Sequence, residues 1–185
     1  MNRKTFLQNC ACGLSAGAAS LVPVESLSAA ETNTDWRIPF VQRRYAKLLD
    51  ILSKRMDQNA VKEILNELGA TCSIMSPESK YFGDLDGLIK SIKESKSGDT
   101  VTYDREKRIL TMDSGERAAC FCPFNGANTS GVVCNCSLGW QQHTWETFFQ
   151  KKVTVELKES VLRGGKRCAF EIHVSEVPVD GAAAG

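Results

Sequence analysis

Six cysteines dominate the chemistry available to the body of this chain: Cys72, Cys120, Cys122, Cys134, Cys136 and Cys168. Four of them make a pattern: C-x-C, eleven residues from Pro123 to Val133, then C-x-C again. Zinc takes four thiolate or imidazole ligands in a tetrahedron, and two cysteine pairs closing a loop supply that number. The pairs are tighter than the common zinc spacing, so one cysteine of each pair can serve, with Cys168 completing the set. Cys72, a glutamate or water would add a further ligand. The candidate metal ligands are therefore Cys120, Cys122, Cys134, Cys136 and Cys168, and the candidate metal is zinc. Disulfides compete with this reading. A bridge within C-x-C is strained, so pairing would cross between the clusters or reach Cys72 and Cys168. Neither C-x-x-C nor C-x-x-C-H occurs, which removes support for thioredoxin-like exchange and c-type haem attachment.

A loop cysteine can also be a nucleophile. Cys122 or Cys136 would then attack, with His143 as base. His143 lies about two turns beyond Cys136 in a helical stretch, where a solvated or capping role competes with catalysis. His173 alternates with Ile172 and Val174 and reads as a surface or edge residue. Neither histidine has a Ser/Asp partner in a local motif, so no hydrolytic triad is visible. No G-x-G-x-x-G and no Walker loop occurs.

These side chains need elements to carry them. From Trp36 to about Met56, Phe40, Val41, Tyr45, Leu48, Leu49 and Leu52 recur at three and four spacing, an amphipathic helix. A second helix is expected from Asn59 to Leu68, with Gly69 as its stop. Asp84 to about Glu94 is a third. The period then changes. Thr100–Tyr103 and Arg108–Met112 read as a β-hairpin turning through Asp104–Lys107, and residues 120–136 read as a loop. A helix is expected from Cys136 to Gln150, with Trp140, Trp145, Phe148 and Phe149 as core or pocket wall. Lys152–Leu157 and Cys168–Val174 alternate strictly and form a second hairpin through Arg163–Lys166. Val177 onward reads as a frayed tail. This order gives an α+β fold: an antiparallel sheet of two hairpins packed against N-terminal helices and one long central helix.

Residues 1–30 read as a signal peptide. A short basic start precedes a weakly apolar run of Ala, Gly and Ser, and Ser28-Ala29-Ala30 offers cleavage after Ala30. Arg3-Lys4-Thr5-Phe6-Leu7 resembles the twin-arginine export motif, which implies a periplasmic or other extracytoplasmic destination and folding before export. The run is too short and polar for a stable membrane span. The domain spans residues 31–178, followed by a disordered tail at 179–185. Removing Arg3, Lys4 and Glu25 leaves 21 basic and 21 acidic residues, a net charge of zero. A concentrated positive field for nucleic acid is therefore absent.

The stretch Cys134-Asn-Cys-Ser-Leu-Gly-Trp, the helix ending Trp145-Glu-Thr-Phe-Phe, the strand Lys152-Val-Thr-Val-Glu-Leu and the turn Arg163-Gly-Gly-Lys-Arg-Cys168-Ala-Phe resemble the 4-vinyl reductase domain family. The resemblance covers residues 100–174. It implies a small-molecule-binding or sensing fold, shared with haem-nitric-oxide-binding and vesicle-tethering relatives. Cysteines of this kind often bind zinc in that family. Cys134 or Cys136 matches its helix-start cysteine and Cys168 its strand cysteine. Ser160 stands where some zinc-binding members have cysteine, and Cys120 or Cys122 would substitute. The expectation is an exported domain with a cysteine-ligated zinc site, a small hydrophobic ligand and room for a homodimer. The alternatives are a small hydrolase or reductase-like enzyme using a loop cysteine, and a disulfide-stapled protein without metal.

Overall fold

A computed structural model describes residues 35–95, 97–126 and 129–179. The expected leader at 1–30 and the end of the tail lie outside the described residues. Four helices, α1 (Arg37–Arg55), α2 (Gln58–Met75), α3 (Leu85–Glu94) and α4 (Cys134–Phe149), accompany four strands, β1 (Thr100–Asp104), β2 (Ile109–Asp113), β3 (Lys151–Glu159) and β4 (Ala169–Pro178). The fold class is α+β, as the alternation of periods predicts.

Both expected hairpins form. They are joined edge to edge, because β2 also pairs antiparallel with β4, and the strand order is β1-β2-β4-β3. Leu110, opposite Ile172, and Met112, opposite Phe170, carry the apolar face across that seam. Successive side chains of a strand point to opposite faces, so Glu156, Glu171 and His173 fall on the other, polar side. β4 runs to Pro178, so the tail begins later than Val177 suggests: Lys151 opposite Pro178 keeps the end of the strand in the ladder.

α3 and α4 pack on the sheet, and α2 packs on α4. Trp145, 1% exposed, anchors the main core with Leu88, Val101, Leu110, Phe170 and Ile172. Its Nε1–H donates to Gln141 Oε1 at 2.8 Å, so the indole is buried with its one polar atom satisfied. A second cluster holds Leu49, Val61, Leu65 and Val133 between α1, α2 and the start of α4.

Two expected boundaries move. α2 does not stop at Gly69 but continues to Met75. A Cβ on Gly69 would lie 2.0 Å from the Cys136 carbonyl oxygen and 2.6 Å from the Trp140 nitrogen. The glycine is there so that two helix backbones can touch, not to end a helix. α4 begins at Cys134, two residues before its expected start. A short 3₁₀ turn at Gly131–Val133, capped by Ser130, leads into it and puts both cysteines in the first helical turn.

Candidate functional site

All six body cysteines line one cavity of about 360 Å³ between the two cores. They reach it from four places. Cys72 comes from α2, Cys120 and Cys122 from the loop after β2, Cys134 and Cys136 from the first turn of α4, and Cys168 from the residue before β4. The rest of the wall is mainly apolar, with Leu68, Phe121, Phe124, Trp140, Leu157 and Phe170.

Each carrier is fixed by ordinary local forces. Cys168 is pinned by Ser114: its N–H donates to Ser114 Oγ at 2.9 Å, and the Ser114 N–H donates to its carbonyl at 3.0 Å. The ladder extends past β2 when Arg117 N–H donates to the Lys166 carbonyl at 2.9 Å. Further on, the Asn125 N–H donates to the Cys122 carbonyl at 2.8 Å, and its side-chain amide to the Cys120 carbonyl at 3.2 Å. α1 holds this loop from outside. Gln42 Nε2 donates to the Pro123 carbonyl at 2.8 Å, and the Tyr45 ring lies 4.8 Å from that of Phe124.

Burial pushes the Cys120 thiol up, and its thiol neighbours Cys168, Cys122 and Cys134 act in the same direction. Burial likewise pushes Cys122 up, beside Cys72 and Cys134. Cys136 is pushed up to about 12, by burial first and then by its thiol neighbours Cys72 and Cys122. A helix N-terminus ordinarily lowers a thiol pKa. Here burial wins, since the water that would solvate a thiolate is excluded. The Tyr45 hydroxyl is raised too, by burial and then by Cys136, Cys122 and Cys72. Cys134 Sγ stands 3.1 Å from Ser160 Oγ, with both residues buried.

Protonated, buried thiols are the reverse of an activated nucleophile. His143 does not assist: its Nδ1 is 3.1 Å from Ser73 Oγ, which in turn meets Thr144 Oγ1 at 2.7 Å. The pairing of Cys122 or Cys136 with His143 is therefore not what the geometry favours. His173 lies on the polar sheet face, its Nε2 2.8 Å from Glu171 Oε1. With Glu156 they form a trio whose ligand atoms all lie within 4.8 Å of one another. Lys158 already balances that trio, 3.2 Å from Glu156 and 3.9 Å from Glu171. Among the described residues no three cysteine sulfurs are that close together, so the thiols ring the cavity without converging on one point.

The fold has relatives among solved structures. A trafficking protein particle complex subunit 3 from Naegleria fowleri, covalently bound to palmitic acid, superposes with a TM-score of 0.50 at 15% identity. The match covers 77% of this chain and 97% of that one. A vinyl-4-reductase family protein from Methanocaldococcus jannaschii gives a TM-score of 0.37 at 16% identity over 75% of this chain and 82% of its own. The H-NOX domain from Shewanella oneidensis, solved in its Fe(II)CO state, gives 0.42 at 12% over 74% and 77%. No family model and no curated protein matches the chain. At these identities the likeness is one of fold.

Sequence reasoning placed five of the six cysteines in one candidate site and left Cys72 as an optional ligand. The signal for Cys72 was present. Val61, Leu65, Leu68 and Cys72 continue one helical face, provided the helix is carried through Gly69. Tyr45 was assigned to the apolar stripe of α1, and its place beside the thiols depends on how the loop folds back on that helix. Trp140 lines the cavity, whereas Trp145, Phe148 and Phe149 belong to the main core.

Proposed function

We propose that this chain is an exported domain that binds a small apolar molecule in its cysteine-lined cavity, with a zinc ion held by Cys120, Cys122, Cys134 and Cys168. The observation that carries the reading is the arrival of all six body cysteines at one apolar cavity of about 360 Å³. Drug-sized ligands occupy clefts of about 300–1,000 Å³ whose walls are apolar with a few polar groups, and this cavity lies at the small end. The resemblance to the 4-vinyl reductase family supports the same reading. So does the trafficking subunit of similar fold, which is covalently bound to palmitic acid, an apolar chain.

The donor set suits zinc in number and softness. Cys120, Cys122, Cys134 and Cys168 all line the cavity, which makes four, and their sulfurs must be drawn together to meet at one ion. Two of them sit on the irregular loop, the part of the fold best able to close around an ion. A site fully coordinated by protein leaves no position open for catalysis, so the zinc would stabilise the loop and shape the wall.

Elemental mass spectrometry on the full chain, purified without chelator, tests the metal. About one zinc per chain is expected, with those four cysteines resisting alkylation until the metal is removed. No metal, with all four alkylated at once, overturns the zinc. Titration with anilinonaphthalene sulfonate tests the cavity: binding should quench Trp140 and weaken when Phe170 is replaced by Asp. No binding to the folded protein overturns the ligand reading. Export is read by recovering the chain cleaved after Ala30 outside the cytoplasm, and an intact chain retained inside overturns it.

A further inference from the structure

The charges of this chain are not evenly spread. α1 carries Arg37, Arg43, Arg44, Lys47, Lys54 and Arg55 against a single acid, Asp50. Residues 31–185 hold 21 basic and 21 acidic residues, so the rest of that span keeps 15 basic and 20 acidic. The neutral total hides one helix with an excess of five positive charges. Lys54 and Arg55 have local work, since the last turn of a helix favours cations. Arg43, Arg44 and Lys47 lie in its middle, where the dipole gives no such reason. Lys47 shares Asp50 with Lys54, at 3.0 and 2.7 Å, and Arg43 and Arg44 make no ion pair among the described residues. The inner side of α1 is already occupied: Leu49 is buried in the second core, Tyr45 meets Phe124, and Gln42 holds Pro123. At about 100° per residue, Phe40 stands half a turn away from Leu49, and Arg44, Lys47, Leu48 and Ile51 fall within about 80° of Phe40. That outer face is exposed and partly apolar, with Phe40 at 43%, Leu48 at 49% and Ile51 at 39%. At its start the Trp36 ring, 68% exposed, meets Phe40 edge-on at 5.8 Å, and the Arg44 guanidinium lies 5.6 Å from the Phe40 ring.

We propose that the outer face of α1 docks the protein on an anionic phospholipid surface, with Trp36, Phe40, Leu48 and Ile51 entering the interface and Arg43, Arg44 and Lys47 meeting the headgroup phosphates. Neither the zinc nor the cavity ligand enters into this. Helices that lie on a membrane combine Lys and Arg with Trp, Phe and Leu on the lipid side, and bind by buried apolar area together with attraction to anionic lipid. Tryptophan belongs at the headgroup level, where one end of the ring is wet and the other apolar. Charge complementarity selects this occupant. A second copy seated symmetrically would set α1 against α1, and the five excess positive charges of each against those of the other. A nucleic acid would satisfy the cations but leave Leu48 and Ile51 against phosphate. A bilayer surface takes both kinds of side chain at once. The span from Phe40 to Ile51 is about three turns, or about 16 Å, so the contact is made by a helix lying flat rather than by one end of it.

Flotation of the full chain with vesicles of phosphatidylglycerol mixed into phosphatidylcholine tests the docking, with pure phosphatidylcholine as the neutral control. Binding is expected to the anionic vesicles alone, and to be released at high salt. One basic residue near such a surface is worth about fivefold, so the combined Arg43→Gln, Arg44→Gln and Lys47→Gln variant should lose at least about tenfold. Leu48→Ser with Ile51→Ser should weaken binding as well, which a contact made by charge alone would not show. Arg3→Gln with Lys4→Gln controls for the leader and should leave binding unchanged. Brominated lipid should quench Trp36, and Trp36→Phe should remove that quenching. Every substituted side chain of α1 is exposed, so the variants should keep the parent's circular dichroism. If one does not, salt release and quenching of the parent decide without it. No binding to anionic vesicles, equal binding by the triple variant, or quenching undiminished in Trp36→Phe overturns the docking. A dimer in vesicle-free buffer that Leu48→Ser abolishes assigns the face to a second copy and overturns it too. So does equal affinity for double-stranded DNA that ignores the changes at Leu48 and Ile51.

Discussion

Ser160 and Cys134 show what a single atom decides. Their side chains meet at 3.1 Å in a buried position, which ties the start of α4 to the end of β3. On the proposed zinc site, Cys134→Ser should lower zinc affinity by at least about tenfold, read by competition with a chromogenic chelator. Unchanged affinity would mean that the metal is not held at Cys134. Ser160→Ala removes the contact without adding a ligand, and about 1 kcal/mol of stability should go with it in urea unfolding. Asp113 makes a second residue-scale case. Burial would raise its carboxyl, but Arg167 at 3.0 Å, the Gly115 N–H and Arg117 hold it below the usual carboxylate range. A carboxylate depressed in the folded state contributes stability that is present above its unfolded pKa of about 3.9 and lost as pH falls through the folded value. Thermal melts should weaken below about pH 4, and Asp113→Asn should flatten that acid limb. An identical limb in the variant would assign the acid sensitivity to other groups.

At the scale of the element, the contact between α2 and α4 outweighs local preference. Gly69→Ala improves helix propensity by about 1 kcal/mol, yet its new Cβ would meet backbone atoms that cannot swing aside. Overpacking of this kind costs about 1–3 kcal/mol, so a net loss is expected in chemical denaturation. The two helices must separate to admit the methyl group. A stability gain would show that the helices are further apart than described. The same element accounts for the reach of sequence reasoning. The apolar spacing of α2 was legible as far as Leu68, and a glycine after an apolar run is a common helix stop. Its other use, letting two backbones touch, depends on a helix more than sixty residues later in the chain. A single-segment pattern does not contain that information.

For the whole molecule, Trp145 joins the sheet to the helices. It is 1% exposed, with the Phe148 ring 5.4 Å away and that of Phe149 6.2 Å away. Trp145→Ala should cost about 3–5 kcal/mol in urea unfolding. A loss below 1 kcal/mol would place the indole outside the core. No helix among the described residues is long and apolar enough to cross a membrane.

What the sequence determined by itself was local and periodic: the switch from helical to alternating spacing, the two hairpins, and the two C-x-C pairs flanking a loop. Periodicity survives in a single segment because each side chain responds to the face it must bury. The tertiary structure decided what depends on distant segments meeting. The β2–β4 seam puts Cys168 beside the loop cysteines, and the passage of α2 through Gly69 brings Cys72 to the cavity. Burial sets the charge state of these thiols, and burial is a property of the assembled fold rather than of the spacing along the chain.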